Sequence, residues 1–153
     1  MRGSGSSYSL GQTYRAARDE ARGRGDRKIS TEHLVLALLA DPTSKPAKAL
    51  GCDLQTARTA LDELDRQALL AIGIDAAPQA QPLRGPQGGR LSLTPAAKAV
   101  LGGSMKAAGH RRQLGPEHVL LALIECQPSD PAAALFASLG VDAALLRQRL
   151  AAA

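Results

Sequence analysis

The sequence of 153 residues contains no tryptophan, one phenylalanine and two tyrosines. A core with so few aromatics must be filled by Leu, Ala, Val and Ile, and that composition favours packed helices over sheets. Cysteine is also scarce: Cys52 and Cys126 lie far apart and outside any CxxC spacing. This argues against a disulfide framework or a cysteine zinc site, and leaves free thiols in a reducing compartment as the expectation. No apolar run approaches the roughly 18 residues that span a bilayer, and the N-terminal MRGSGSSYS lacks the apolar segment of a secretion signal. A cytoplasmic protein without membrane contact is expected. The phosphate loop GxxxxGK[ST] is missing, as are GxSxG, HExxH and GxGxxG. With no nucleophile and base to pair, the expectation is a protein that is not an enzyme and uses no metal or cofactor.

What is present is an ordinary globular composition, 44% apolar and 22% charged. The excess of 19 Lys and Arg over 14 Asp and Glu gives a formal charge of +5. The basic residues are dispersed, apart from RGRGDRK and HRR, with hardly any aromatics to stack on bases. Solvated faces explain them better than a nucleic-acid surface does, and a basic helical nucleic-acid binder is kept only as an alternative.

The informative feature is a repeat. ISTEHLVLALLAD at 29–41 recurs as LGPEHVLLALIEC at 114–126, and each copy is followed by an Ala-rich segment closing on Leu-Gly, PAKALGCD at 46–53 and PAAALFASLGVD at 131–142. Glu32 and Glu117 are 85 residues apart and Gly51 and Gly140 are 89 apart, so the second copy carries four extra residues between these landmarks. Each copy predicts four helices. The first runs from about Leu10 to Arg22, and its counterpart from Thr94 to Ala108, with Thr94 as N-cap and Pro95 at the first helical position. The second helix is apolar nearly all round and must be buried. The third stops at Gly51 or Gly140, where the chain turns left-handed. Asp53 and Asp142 open the fourth helices, with inner stripes at Leu54, Leu61 and Leu64 and at Leu146 and Leu150.

The fold class expected is therefore all-α, eight helices as two pseudo-twofold four-helix repeats. Residues 1–7 read as an appended leader outside the fold, 8–71 as the first repeat, 72–92 as a Pro/Gly/Gln-rich exposed linker and 93–150 as the second repeat, together forming one compact domain.

The repeated Glu-His pair admits two readings. In one, Ser30 or Thr31 caps the helix, Glu32 complements the positive end of its dipole, and His33 fills a gap while satisfying a backbone group. In the other, a carboxylate at the helix mouth grips a guanidinium while free N–H groups of helix starts receive an anion, an arrangement that fits a phosphorylated arginine. A metal site built from Glu32, His33, Glu117 and His118 is disfavoured, because adjacent helical residues point about 100° apart.

ISTEHLVLALLAD, preceded by DEAR and followed by AKALG, and then LTPAAKAVL, GPEHVLLALIE and LGVD, resemble the Clp N-terminal repeat domain. That domain stands at the front of the ClpA, ClpB and ClpC unfoldases, and the resemblance is closest to the ClpC type. The likeness implies an eight-helix module receiving protein substrates and adaptors for an AAA+ unfoldase. It implies Glu32 and Glu117 as carboxylates gripping phosphoarginine, each with a hydroxyl residue from the start of the same copy's first helix: Thr94 in the second copy and Ser7 in the first. Ser30 replaces the family's Gly and Pro116 its Thr, the latter removing a hydroxyl and a backbone donor. Two residues are missing between Thr94 and Glu117. Without an ATPase segment, the chain reads either as an excised N-domain or as a free-standing adaptor or decoy, with capture of small-molecule natural products aimed at the unfoldase as a further alternative.

Overall fold

The computed structural model describes residues 9–74, 91–108 and 114–152. Eight helices are described: α1 Leu10–Arg24, α2 Thr31–Leu39, α3 Lys45–Leu50, α4 Leu54–Ala71, α5 Pro95–Ala108, α6 Pro116–Ile124, α7 Pro131–Ser138 and α8 Ala143–Ala152. The all-α expectation holds, with one addition. Two two-residue strands, β1 Lys28–Ile29 and β2 Ser92–Leu93, pair in parallel, Lys28 opposite Ser92 and Ile29 opposite Leu93. Such short strands have no period to read, so nothing in the sequence announced them.

The helix punctuation follows the sequence. Asp53 accepts the Thr56 N–H at 2.7 Å to cap α4, Asp142 accepts the Leu145 N–H at 3.1 Å to cap α8, and the Thr94 hydroxyl accepts the Ala97 N–H at 3.2 Å to cap α5. Gly51 and Gly140 have φ of 71° and 70°, the left-handed conformation that ends the third helix of each copy. The extra residues of the second copy lengthen this third helix, from the six residues of α3 to the eight of α7, and the loop before it.

The two copies pack so that most contacts between helices have a partner under exchange of halves. α1 packs on α2 as α5 does on α6; α2 meets α7 as α6 meets α3; α4 meets α7 as α8 meets α3; and α2 crosses α6 at the centre. The core is aliphatic, with Leu34, Val35, Leu36, Val119, Leu120, Leu123 and Leu135 fully buried. Leu61 and Leu146 of the fourth helices are buried as their stripes required, while Leu54, Leu64 and Leu150 sit partly buried at the margin. α2 is buried along nearly its whole length because it contacts helices of both copies.

The first helices align in a different register from the second. Among the buried positions, Thr13 and Ala17 of α1 match Val100 and Ser104 of α5, 87 residues further on, whereas α2 and α6 match at 85. The two-residue deficit thus falls between α5 and α6. Among the described residues no helix is long and apolar enough to cross a membrane.

Candidate functional site

His33 is 1% exposed, and its Nδ1 accepts the Ser30 N–H at 2.9 Å while its Nε2 lies 2.7 Å from Asp26 Oδ2. Because Nδ1 accepts, the neutral ring carries its proton on Nε2 and donates it to Asp26. His118 repeats half of this, its Nδ1 accepting the Gly115 N–H at 2.9 Å. Histidine at the third helical position therefore does the work that Glu or Gln does in a capping box. The reading of His33 as a core residue satisfying a backbone group describes its geometry; the expectation that a Ser30 or Thr31 side chain caps α2 does not. The Ser30 side chain makes no cap bond, and Thr31 points elsewhere.

Thr31 is fully buried, and its hydroxyl donates to Asp130, the N-cap of α7, while accepting the Ala132 N–H at 3.2 Å. Nearby, the Thr94 N–H donates to the Ile29 carbonyl at 2.9 Å, continuing the β1–β2 ladder up to the start of α5. The starts of α2, α5 and α7 thus converge. Sequence reasoning did not find Thr31 and Asp130 as a linked pair. The only available signal was that Thr31 has no hydroxyl counterpart in the second copy, where Pro116 stands.

The convergence changes how the site residues group. The resemblance pairs Thr94 with Glu117 of its own copy. The fold instead sets Thr94 at the mouth of α2, beside the segment that leads into Glu32. The Ser104 hydroxyl lies 3.5 Å from the His118 carbonyl, and Thr94 is ten residues, about 15 Å, away along α5. α6 folds back from the far end of α5, so the N-terminus of α5 meets α2 of the opposite copy and not α6 of its own. By the 87-residue register the position matching Thr94 is Ser7, which lies outside the described residues.

The two carboxylates are not equivalent. Glu32 Oε2 is inaccessible to solvent and has no hydrogen-bond partner among the described residues. The Glu117 carboxylate instead folds back over Gly115, filling the space where a Cβ at that position would sit. The N-caps have similar backbones, Ser30 at φ −108° and Gly115 at φ −120°, so the Cβ of Ser30 bars Glu32 from the placement Glu117 takes.

Two cavities adjoin this framework. One, of about 480 Å³, lies between the end of α2, α3 and the start of α4, and includes Cys52 and Arg58. The other, of about 790 Å³, lies between α5 and α6 and reaches Asp130 and Pro131. Cys126 lines the larger one; burial, and then the charge of Asp130, push its thiol up to about 11. Cys52 is raised as well, by burial and then by Asp53. Both thiols are free. Among the described residues no cluster of His, Cys, Asp and Glu could hold a metal ion.

A doubled four-helix unit with a carboxylate at the mouth of each central helix defines a pseudo-symmetric all-α repeat domain. The model of the Clp repeat (R) N-terminal domain matches residues 7–112, and the chain belongs to that family. It is 33% identical over 128 residues to the ATP-dependent Clp protease ATP-binding subunit ClpC of Staphylococcus saprophyticus, and equally to that of Staphylococcus aureus. Each match takes in 82% of this chain and 14% of the relative, so the chain spans about a seventh of the ClpC length. In fold it is similar to the Hsp104 N-terminal domain of Candida albicans, with a TM-score of 0.60 at 16% identity, covering 92% of this chain and 85% of that one.

Proposed function

We propose that the chain is a cytoplasmic protein-recognition module that presents substrates or adaptors to an AAA+ unfoldase of the ClpC kind, and that arginine-phosphorylated proteins are among its ligands. The observation that carries this reading is the unpartnered oxygen of Glu32 at the mouth of α2. A buried carboxylate oxygen without a donor costs about 1–3 kcal/mol, and turning out to meet a guanidinium relieves that cost. Thr94, at the adjoining start of α5, supplies a hydroxyl, and the helix starts there favour the negative phosphoryl group. Glu117 is the corresponding carboxylate of the second copy, and Ser7, the first-copy hydroxyl that the resemblance implies, lies outside the described residues.

The experiment is calorimetry with free phosphoarginine. Binding heat is expected with the wild type, with loss on Glu32→Ala and complete loss when Glu117→Ala is added. An absence of heat with the wild type, or an affinity unchanged in the double variant, rules out the marked-arginine ligand.

A further inference from the structure

We propose that the two mouths are unequal, the first-copy one being the tighter, and that two residues that do not touch the ligand set the difference. Ser30 keeps the Glu32 carboxylate off its own helix cap with its Cβ, and Asp26 fixes the imidazole that holds Ser30 in place. This rests on the carboxylates' role given above and names the positioning residues of that site.

The N-cap backbones nearly coincide, Ser30 at φ −108° and ψ 177°, Gly115 at φ −120° and ψ 163°. A Cβ on Gly115 would fall on the Glu117 carboxylate, so an N-cap side chain and a folded-back carboxylate exclude each other. Glu117 must leave this place before it can bind. Glu32 has no such place to rest, and its Oε2 stays buried without a donor. A cation that supplies the missing bond relieves a cost already present in the free protein, and binds more tightly for it.

The Cβ of Ser30 acts only while the cap stays closed. Closure comes from the Ser30 N–H donating to His33 Nδ1 at 2.9 Å, which requires the ring proton on Nε2. Asp26 selects that tautomer by accepting from Nε2 at 2.7 Å. Asp26 is exposed, but Arg24 Nε stands 3.8 Å from the same oxygen. The other two nitrogens of Arg24 are bound by Asp62, at 2.6 Å, and by Asp65, both of α4. The mouth of α2 is thus tied through this chain of side chains to α4. At the 85-residue register Arg111 stands where the first copy has Asp26. It lies outside the described residues, and a guanidinium accepts no hydrogen bond.

The test is calorimetry of the full chain with free phosphoarginine, using Glu117→Ala to isolate the first mouth and Glu32→Ala to isolate the second. The first is expected to bind about threefold to tenfold more tightly, the effect of reordering one side chain. Adding Ser30→Gly to Glu117→Ala should remove that advantage, whereas Ser30→Ala, which keeps the Cβ, should retain it. Asp26→Ala should weaken the first mouth alone and move the His33 ring ¹⁵N shifts toward a mixture of tautomers, and Asp26→Asn, which keeps an acceptor, should restore both. Equal mouths, equal effects of Ser30→Gly and Ser30→Ala, or His33 shifts unmoved by Asp26→Ala overturn the proposal. The same variants are titrated with unmarked arginine amide, followed by the backbone amide shifts of Glu32 and Glu117. If phosphoarginine gives no heat but arginine amide prefers the first mouth and loses that preference in Ser30→Gly, the marked-arginine reading falls and the assignment of Ser30 stands. If neither ligand distinguishes the mouths, the proposal falls.

Discussion

The Thr31 hydroxyl, at the first turn of α2, donates to the carboxylate of Asp130 at the start of α7 and accepts the Ala132 N–H at 3.2 Å. One buried side chain of the first copy therefore completes the N-cap of a helix in the second. Pro116 occupies the matching position of the second copy and can offer no such bond. The seam between the copies is asymmetric at this point.

Thr31→Val preserves shape and removes the hydroxyl, so the half-buried Asp130 loses that donor and keeps only the Ala132 N–H, at 3.0 Å. A loss of about 1–3 kcal/mol is expected from urea unfolding, with the helical circular dichroism of the native state retained. A variant as stable as the wild type would show that the bond contributes nothing net.

His33→Ala leaves the Ser30 N–H without its acceptor and opens a cavity at a position 1% exposed. A cost of about 2 kcal/mol or more is expected in thermal or urea unfolding. His33→Gln keeps an acceptor at the third helical position, as in a capping box, and should recover a good part of that loss. Equal destabilisation by the two variants would remove the capping role of the ring.

Gly115→Ser places a Cβ where the Glu117 carboxylate now lies. The carboxylate is the end of a flexible side chain, so it should swing out at a stability change of only a few tenths of a kcal/mol. The contact between the Glu117 γ-protons and the Gly115 α-protons, measurable as a nuclear Overhauser effect in the wild type, should vanish. If wild-type spectra show no such contact, the folded-back placement is wrong.

Cys126 should alkylate slowly. With its thiol pushed up to about 11, only about one molecule in a thousand carries thiolate at pH 8, and the rate should rise nearly tenfold per pH unit above that. Mass-spectrometric timing of iodoacetamide labelling checks this, and a rate matching that of an exposed peptide cysteine would contradict the environment described.

Asp53 is held below the ordinary carboxylate range, first by the Thr56 backbone N–H and then by the Thr56 hydroxyl. Its folded value lies below its unfolded one, so its contribution to stability is present above about pH 4 and lost as the pH falls through the depressed value. Asp53→Asn keeps a capping oxygen that does not titrate, and its acid unfolding curve should be flatter in that range. Superimposable curves would mean that the carboxylate charge is immaterial to the cap.

Much of this molecule is determined by sequence alone, because the signals involved are local. Helix starts at Asp53, Thr94 and Asp142 and stops at Gly51 and Gly140 depend on the conformational preferences of single residues and the bonds they make within three positions. The repeat is visible because two copies of one unit must bury the same apolar faces, and burial of α2 follows from its unbroken run of Leu, Val and Ala. Only the tertiary structure decided how the site residues group. Thr94 meets the mouth of α2 and not α6 because a helix carries its two ends far apart, so the return helix of the same copy starts beyond reach and the other copy fills the place. The difference between Glu32 and Glu117 was likewise beyond the sequence. It turns on whether a neighbouring Cβ occupies a few cubic ångströms at the N-cap, and that depends on three-dimensional placement, which the shared Glu-His spelling of the two copies does not encode.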